Sequence, residues 1–358
     1  MAHAFRGDCR PVLIGSMPLT DHQEAQRLVK TTTAEVPVWV QLPRLAGEGM
    51  VAQFLAGMPG IKQEADRYYI DSTGEAFDNA LLAFYERYLS LESGAMDAHA
   101  AGFGLDPGVA GGFYALEAAL ADWPAGLVAI KGQVTGPITF TTGVKDRSGQ
   151  AIFYDPQLRD VAIKQLAGNA RWQVARLAGF GVPVIIFIDE PALAGFGSSE
   201  FISMTREDVS AALAEVIAAV HGAGGMAGIH VCANTDWSLV LDSPVDIVNF
   251  DAYAYFDRFM LYPDAVTAFL QSGRHLAWGI VPTLDAADIL GETVDSLVSR
   301  YLAGVDQLVA LGLTRQQVMR QSLVSPSCGV GSLSPELALR VLSLTREVSD
   351  VLRSMIAH

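Results

Sequence analysis

Eight times between Pro11 and Val324 the chain returns to a short apolar run, and most of these runs are followed by a segment with helical spacing. The runs are Pro11–Ile14, Val36–Gln41, Leu127–Gln133, Val184–Ile188, Ala227–Val231, Asp246–Phe250, Leu276–Ile280 and Gln321–Val324. Runs this short, bounded by polar and turn-forming residues, read as strands buried on both faces of a mostly parallel sheet. The clearest amphipathic helical segments are Asp160–Phe180, Glu207–His221, Val294–Leu311 and Pro335–Arg353. The last opens on Ser334-Pro335-Glu336, a capping serine followed by a proline at the first helical position. Eight alternating units in 358 residues predict an α/β fold, a (β/α)8 TIM barrel, with a doubly wound sheet as its structural rival. Gly57 to Trp123 is too long for a β/α connection. Within it Tyr68–Ser72 reads as a hairpin strand, and Ala80–Leu91 and Phe113–Trp123 as helices. We expect an insertion after the second strand that covers one end of the barrel, within a single domain spanning residues 1–358.

Composition narrows the partners. Acidic residues outnumber basic ones 39 to 24, a net charge of -15. That sign repels phosphate backbones and anionic lipid, so neither nucleic acid nor a membrane surface is an expected partner. Mean hydropathy is +0.29, yet no apolar run approaches the roughly 20 residues of a spanning helix. A sheet buried on both faces accounts for the value. Met1 to Arg10 contains no apolar segment of signal-peptide length, so a cytoplasmic location is expected. Three cysteines are too few for a disulfide framework, and Cys9 reads as an ordinary residue near a strand start.

The chemistry gathers where the strands end. After the successive runs come Gly15-Ser16, Pro43-Arg44, Thr135-Gly136-Pro137, Asp189-Glu190-Pro191, His230 and Cys232, Asp251, Pro282-Thr283 and Ser327-Cys328-Gly329. Barrel enzymes build their sites at this end. His230-x-Cys232 at a strand end places an imidazole and a thiol on one face, since side chains alternate with a period of two. Together with Asp251 and Cys328 they are candidate ligands of a zinc ion. The bland alternatives are a buried histidine with inert cysteines, or a structural zinc. Structural sites usually carry closely spaced cysteine pairs, whereas Cys232 and Cys328 stand 96 residues apart, the spacing of a catalytic site assembled by the fold. Asp189 and Glu190 follow an apolar run where acidic residues are costly unless they bind something, and we assign Asp189 to a substrate ammonium group. Gly15 and Ser16 offer backbone N–H groups and a hydroxyl to a carboxylate. Asp97-x-His99-x-x-Gly102 matches a corrinoid-binding pattern but lacks the preceding buried strand, and Gly329-x-Gly331 is read as a turn.

Taken together, the pieces resemble the catalytic C-terminal barrel of cobalamin-independent methionine synthase, in the superfamily shared with uroporphyrinogen decarboxylase. The matching segments are Ile14-Gly15-Ser16, Lys131 to Pro137, Ile188 to Leu193, His230-x-Cys232, Asp246 to Asp251 and Pro326 to Gly329, in order along nearly the whole chain. The resemblance implies zinc held by His230, Cys232, Asp251 and Cys328. It also implies that Ile14, Gly15, Ser16, Asp189 and Glu190 lie around the amino-acid end of a thiol substrate, homocysteine in that family. Three departures stand out. Aspartate replaces the family's usual glutamate at 251, Val40-Gln41-Leu42-Pro43 replaces a His-Gly-Glu segment, and no histidine follows the seventh strand. The expected activity is thiol methylation to give methionine, with a methylcorrinoid protein as donor rather than folate. The alternatives are methyl transfer to another thiol, a non-catalytic thiol- or corrinoid-binding protein, and a metal-free decarboxylase of the porphyrinogen type.

Overall fold

Seven of the eight apolar runs enter one parallel sheet in the computed structural model, which describes residues 5–64, 67–198, 201 and 203–356. Ten strands occur among the described residues, in chain order: β1 (Arg10–Pro11), β2 (Ile61–Glu64), β3 (Arg67–Ile70), β4 (Ile130–Thr135), β5 (Lys145–Asp146), β6 (Val184–Asp189), β7 (Met226–Val231), β8 (Ile247–Phe250), β9 (His275–Val281) and β10 (Ser322–Pro326). The main sheet runs β1-β10-β9-β8-β7-β6-β4, every pairing parallel. The helices used below are α1 (His22–Thr32), α2 (Glu75–Glu92), α3 (Gly111–Leu120), α4 (Pro137–Gly143), α5 (Pro156–Leu177), α6 (Arg206–Gly222), α7 (Trp237–Leu241) and α8 (Ala252–Phe259). The 334 to 336 cap forms as read, with Ser334 Oγ accepting from the Leu337 amide at 3.3 Å at the start of the helix Pro335–Ile356.

The second run, Val36–Gln41, closes the ring without becoming a regular strand. Pro37 has no N–H to give to a ladder, but its carbonyl accepts from Lys131 N at 2.8 Å. On the other side Gln41 N donates to Gly15 O and Met17 N to Gln41 O, both at 3.0 Å. Isolated parallel bridges join Val38 to Lys131 and Ser16 to Gln41, so this segment fills the gap between β4 and β1. The carbonyl of Trp39 accepts from the side chain of Gln133 at 2.9 Å rather than from a neighbouring strand. The start of α3 presses against the same segment. A Cβ on Gly112 would lie 1.8 Å from Val40 O, so no larger residue fits there.

Side chains facing into the ring form layers. The lower layer is apolar, with Val12, Val36, Ala129, Ile185, Phe187, Ile247, Ala277 and Leu323 fully buried. Above it the interior turns polar, with Lys131, Gln133, Asn249 and Ser325 also fully buried. Outward-facing Ile186 and Ile188 join the cluster beneath the helices, which is why β6 reads as an unbroken apolar run.

The insertion forms after the second run, as a hairpin and helices. β2 and β3 make an antiparallel hairpin, with β5 added in parallel to β3. Helix α2 buries Phe77, Leu81, Phe84, Tyr88 and Leu91, spaced as one helical face. That face and its neighbours lie along the flank. Tyr85 donates to Asp160 at 2.7 Å, Asn169 Nδ2 to Phe103 O at 2.8 Å, and Phe113 packs on Trp172 with ring centroids 4.7 Å apart. No described residue of 57–123 lines the cavity described next.

Candidate metal centre and its pocket

On β7 the alternation points Gly228 and His230 into the ring, and Cys232, one residue past the strand, continues that face. Cys328 arrives from the exit of β10. A register shift between Ser325 and Pro326 interrupts the pairing with β9 just before it, and such irregularities re-aim the side chains that follow. Among the described residues His230, Cys232 and Cys328 form a group whose donor atoms all lie within 4.8 Å of one another. His230 is buried and the two thiols are half-buried. Asn249 of β8 stands beside His230 in the ladder, and its side-chain oxygen meets His230 Nδ1.

The charges of this group lean on one another. A hydrogen bond from Cys328 and the adjacent His230 lower the pKa of Cys232 despite its burial. Cys328, giving its proton to Cys232 and facing burial, is raised. Burial opposes protonation of His230, but Cys232 and Asp189 together raise its pKa. One imidazole and two thiols converging from separate strands make a soft donor set suited to zinc, and three protein ligands leave a fourth position open.

The group opens into a cavity of about 300 Å³ shared with Ile14, Ser16, Gln41, Glu48 and Asp189. Asp189 is 3% exposed, and its Oδ1 has no hydrogen-bond partner among the described residues. Burial pushes its carboxyl up to about 6, with Lys131 pulling the other way. The Lys131 ammonium is itself fully buried, 4.3 Å from the centre of the Phe187 ring, and donates to Ile14 O at 2.6 Å. Burial holds its pKa down to about 8. Ser16 is fixed from the opposite wall, where its carbonyl accepts from Val330 N at 3.1 Å and its hydroxyl from Gly331 N at 3.3 Å. Gly329 allows this approach, since a Cβ there would lie 2.2 Å from Ser16 Oγ.

Three candidates from the sequence lie elsewhere. Gly15 sits behind Ser16 and does not line the cavity, its carbonyl accepting from Gln41 N. Glu190 turns away from the cavity altogether. Oε1 accepts from Ile138 N at 2.8 Å, and Oε2 accepts from Thr139 N at 2.8 Å and Thr139 Oγ1 at 2.7 Å, so the carboxylate caps α4. Burial still pushes it up to about 7 against those bonds. Asp251 stands outside the three-donor group, although near enough for its charge to interact with those of Cys232 and His230. It is the N-cap of α8, Oδ1 accepting from Ala254 N at 2.8 Å, and burial pushes it up to about 6.

One charged pocket residue escaped the sequence reading. Glu48 is buried to 4% exposure, hydrogen-bonded through Oε1 to His22 Nε2 at 2.8 Å and through Oε2 to Leu42 N at 3.1 Å. An acidic residue between Gly47 and Gly49 after a strand end was the available signal, but no spacing rule places it in the pocket.

A sequence model of the family described as cobalamin-independent synthase, catalytic domain, matches residues 117–350. A solved B12-independent methionine synthase from Shewanella sp. W3-18-1, in complex with selenomethionine, is 18% identical over 64% of this chain, with a TM-score of 0.46. The similarity spans 63% of that protein. The tandem GH20 catalytic modules of the pneumococcal exo-beta-D-N-acetylglucosaminidase StrH are 8% identical over 96% of this chain and 85% of theirs, also with a TM-score of 0.46. No curated protein matches the chain. No helix among the described residues is long and apolar enough to cross a membrane. With the family match covering well over half of its length, this chain belongs to the cobalamin-independent synthase catalytic-domain family.

Proposed function

We propose that this chain is a zinc-dependent methyltransferase whose acceptor is the thiol of an amino acid of the homocysteine class. The observation that carries the reading is the convergence of His230, Cys232 and Cys328 on a cavity that also holds a buried carboxylate, Asp189, whose Oδ1 has no hydrogen-bond partner among the described residues. His230, Cys232 and Cys328 would hold the metal, with Asp251 as the acidic neighbour outside them. Zinc bound there supplies Lewis acidity, which keeps a substrate thiol deprotonated near neutral pH.

The remaining work falls to the chain. Asp189 receives the substrate's ammonium group, which supplies the partner its Oδ1 lacks and stabilises the ionised carboxylate. Lys131 fixes the Ile14 carbonyl and the wall from which Ser16 reaches the substrate carboxylate. Buried walls exclude water from the reacting sulfur and strengthen these contacts. Glu48 adds a second carboxylate on the same side as Gln41.

Metal analysis of untagged, chelator-free wild type beside Cys328→Ser tests the reading. About one zinc per chain is expected, with weaker retention in the variant. Well-folded wild type without metal would remove the proposal. The loaded protein is then assayed with homocysteine and either methylcobalamin or methyltetrahydrofolate. Methionine formation identifies the donor class, and methylation of a different thiol only would move the acceptor while leaving the chemistry.

A further inference from the structure

We propose that Asn249 is a positioning residue that fixes the ring tautomer of His230 and so decides which imidazole nitrogen is offered to a metal. The consequence for the metal rests on the function proposed above, whereas the tautomer is a property of the chain itself. Asn249 and His230 are register partners on β8 and β7, both buried. Asn249 Nδ2 lies 2.8 Å from Ala277 O on β9 and 2.8 Å from Ser325 Oγ on β10. A backbone carbonyl can only accept, so that end of the carboxamide must be the NH2. The other end is then the oxygen, and it meets Nδ1 of His230. An amide oxygen also only accepts, so the ring proton sits on Nδ1. Nε2 is left as the lone-pair nitrogen of the neutral ring, available for ligation.

The direction of this relay is set by Ala277 O, an atom that cannot change role. Burial makes the alternative costly, because an Nε2–H ring would set the Nδ1 lone pair against the Asn249 oxygen with no water to intervene. A carboxamide also orients the ring without adding charge beside two thiols, Asp189 and Asp251. Metal-bound histidines are commonly steered in this way by the partner of their second nitrogen.

The test begins without metal. Wild type carrying 15N-labelled histidine is raised in pH until the His230 ring is neutral, and long-range 1H–15N correlations are recorded. The His230 signals are those lost in His230→Gln. A ring protonated at Nδ1 is expected, and an Nε2–H ring would overturn the proposal. Cadmium-113 loading should then show coupling to Nε2, and coupling to Nδ1 counts equally against it. In Asn249→Leu both tautomers should appear and zinc affinity, read by competition with a chromophoric chelator, should fall by about 10–100-fold. Asn249→Asp should keep the Nδ1 proton. An Asn249→Leu protein with unchanged tautomer and affinity would refute the role. Failure to bind zinc would remove the proposed function but not the tautomer, and if Asn249→Leu does not fold the wild-type spectrum still decides.

Discussion

Replacing Glu190 by glutamine separates a structural role from a substrate-binding one. The carboxylate takes three donors at the start of α4, one on Oε1 and two on Oε2. A carboxamide of the same shape offers one oxygen and one NH2. Turned to keep both Thr139 bonds, it sets its NH2 against the buried Ile138 N–H. At pH 9, where Glu190 is ionised despite being pushed up to about 7, the loss of one charge-assisted hydrogen bond costs about 1.5–3 kcal/mol, and the stranded donors add about 1–3 kcal/mol. Relief from burying a charge offsets part of this, leaving a net destabilisation of about 2 kcal/mol. Urea unfolding monitored by tryptophan fluorescence measures it as a lower midpoint at constant slope. Because Glu190 does not line the cavity, zinc affinity and KM for the thiol should stay at wild-type values below the unfolding range. The reasoning is refuted if the unfolding midpoint is unchanged while KM rises tenfold, a loss of about 1.4 kcal/mol in binding.

Two further perturbations probe the buried charges. Lys131→Met leaves Asp189 without its cation, and the cost should reach about 3 kcal/mol at pH 7, where both groups are mostly charged. The Asp189 carboxyl, pushed up to about 6, is neutral at pH 5, so there the loss should shrink. Equal destabilisation at the two pH values would refute the coupling. His275 lies at the foot of β9, its ring 5.2 Å from that of Phe5, and burial holds its pKa below the ordinary histidine value. A depressed histidine stabilises the fold above the unfolded pKa of about 6.5 and loses that contribution as pH falls through it. His275→Gln should therefore lose less stability than wild type between pH 7.5 and 5.5, measured by denaturant unfolding at both. An identical loss in the two proteins would contradict the assignment.

The legible part of the fold was what short-range periodicity controls. Apolar runs marked the strands because a parallel sheet covered on both faces leaves no polar alternation, and the period of two put His230 and Cys232 on one face. The same rule shows why Asp189 faces the cavity and Glu190 does not, since adjacent residues at a strand end point to opposite sides. Val36–Gln41 had the composition of a strand, but Pro37 and the side chain of Gln133 replace its ladder bonds with others. The insertion was legible as a hairpin and helices. The packing of its helices on α1 and α5 was not, because it depends on faces that only the assembled fold presents.

By itself, then, the sequence determined the alternation of strands and helices, the end of the barrel where reactive groups collect, and the pairing of a histidine with a cysteine. Those features follow from local period and from the cost of burying polar groups. Only the tertiary structure decided that Cys328 joins His230 and Cys232, that Asp251 and Glu190 cap helices, that Glu48 enters the pocket, and that Asn249 meets His230 Nδ1. Apart from the Asp251 cap, which reaches only three residues along the chain, each of those depends on strand pairing and ring closure, which bring residues far apart in sequence within a few ångströms, and no local pattern encodes that distance.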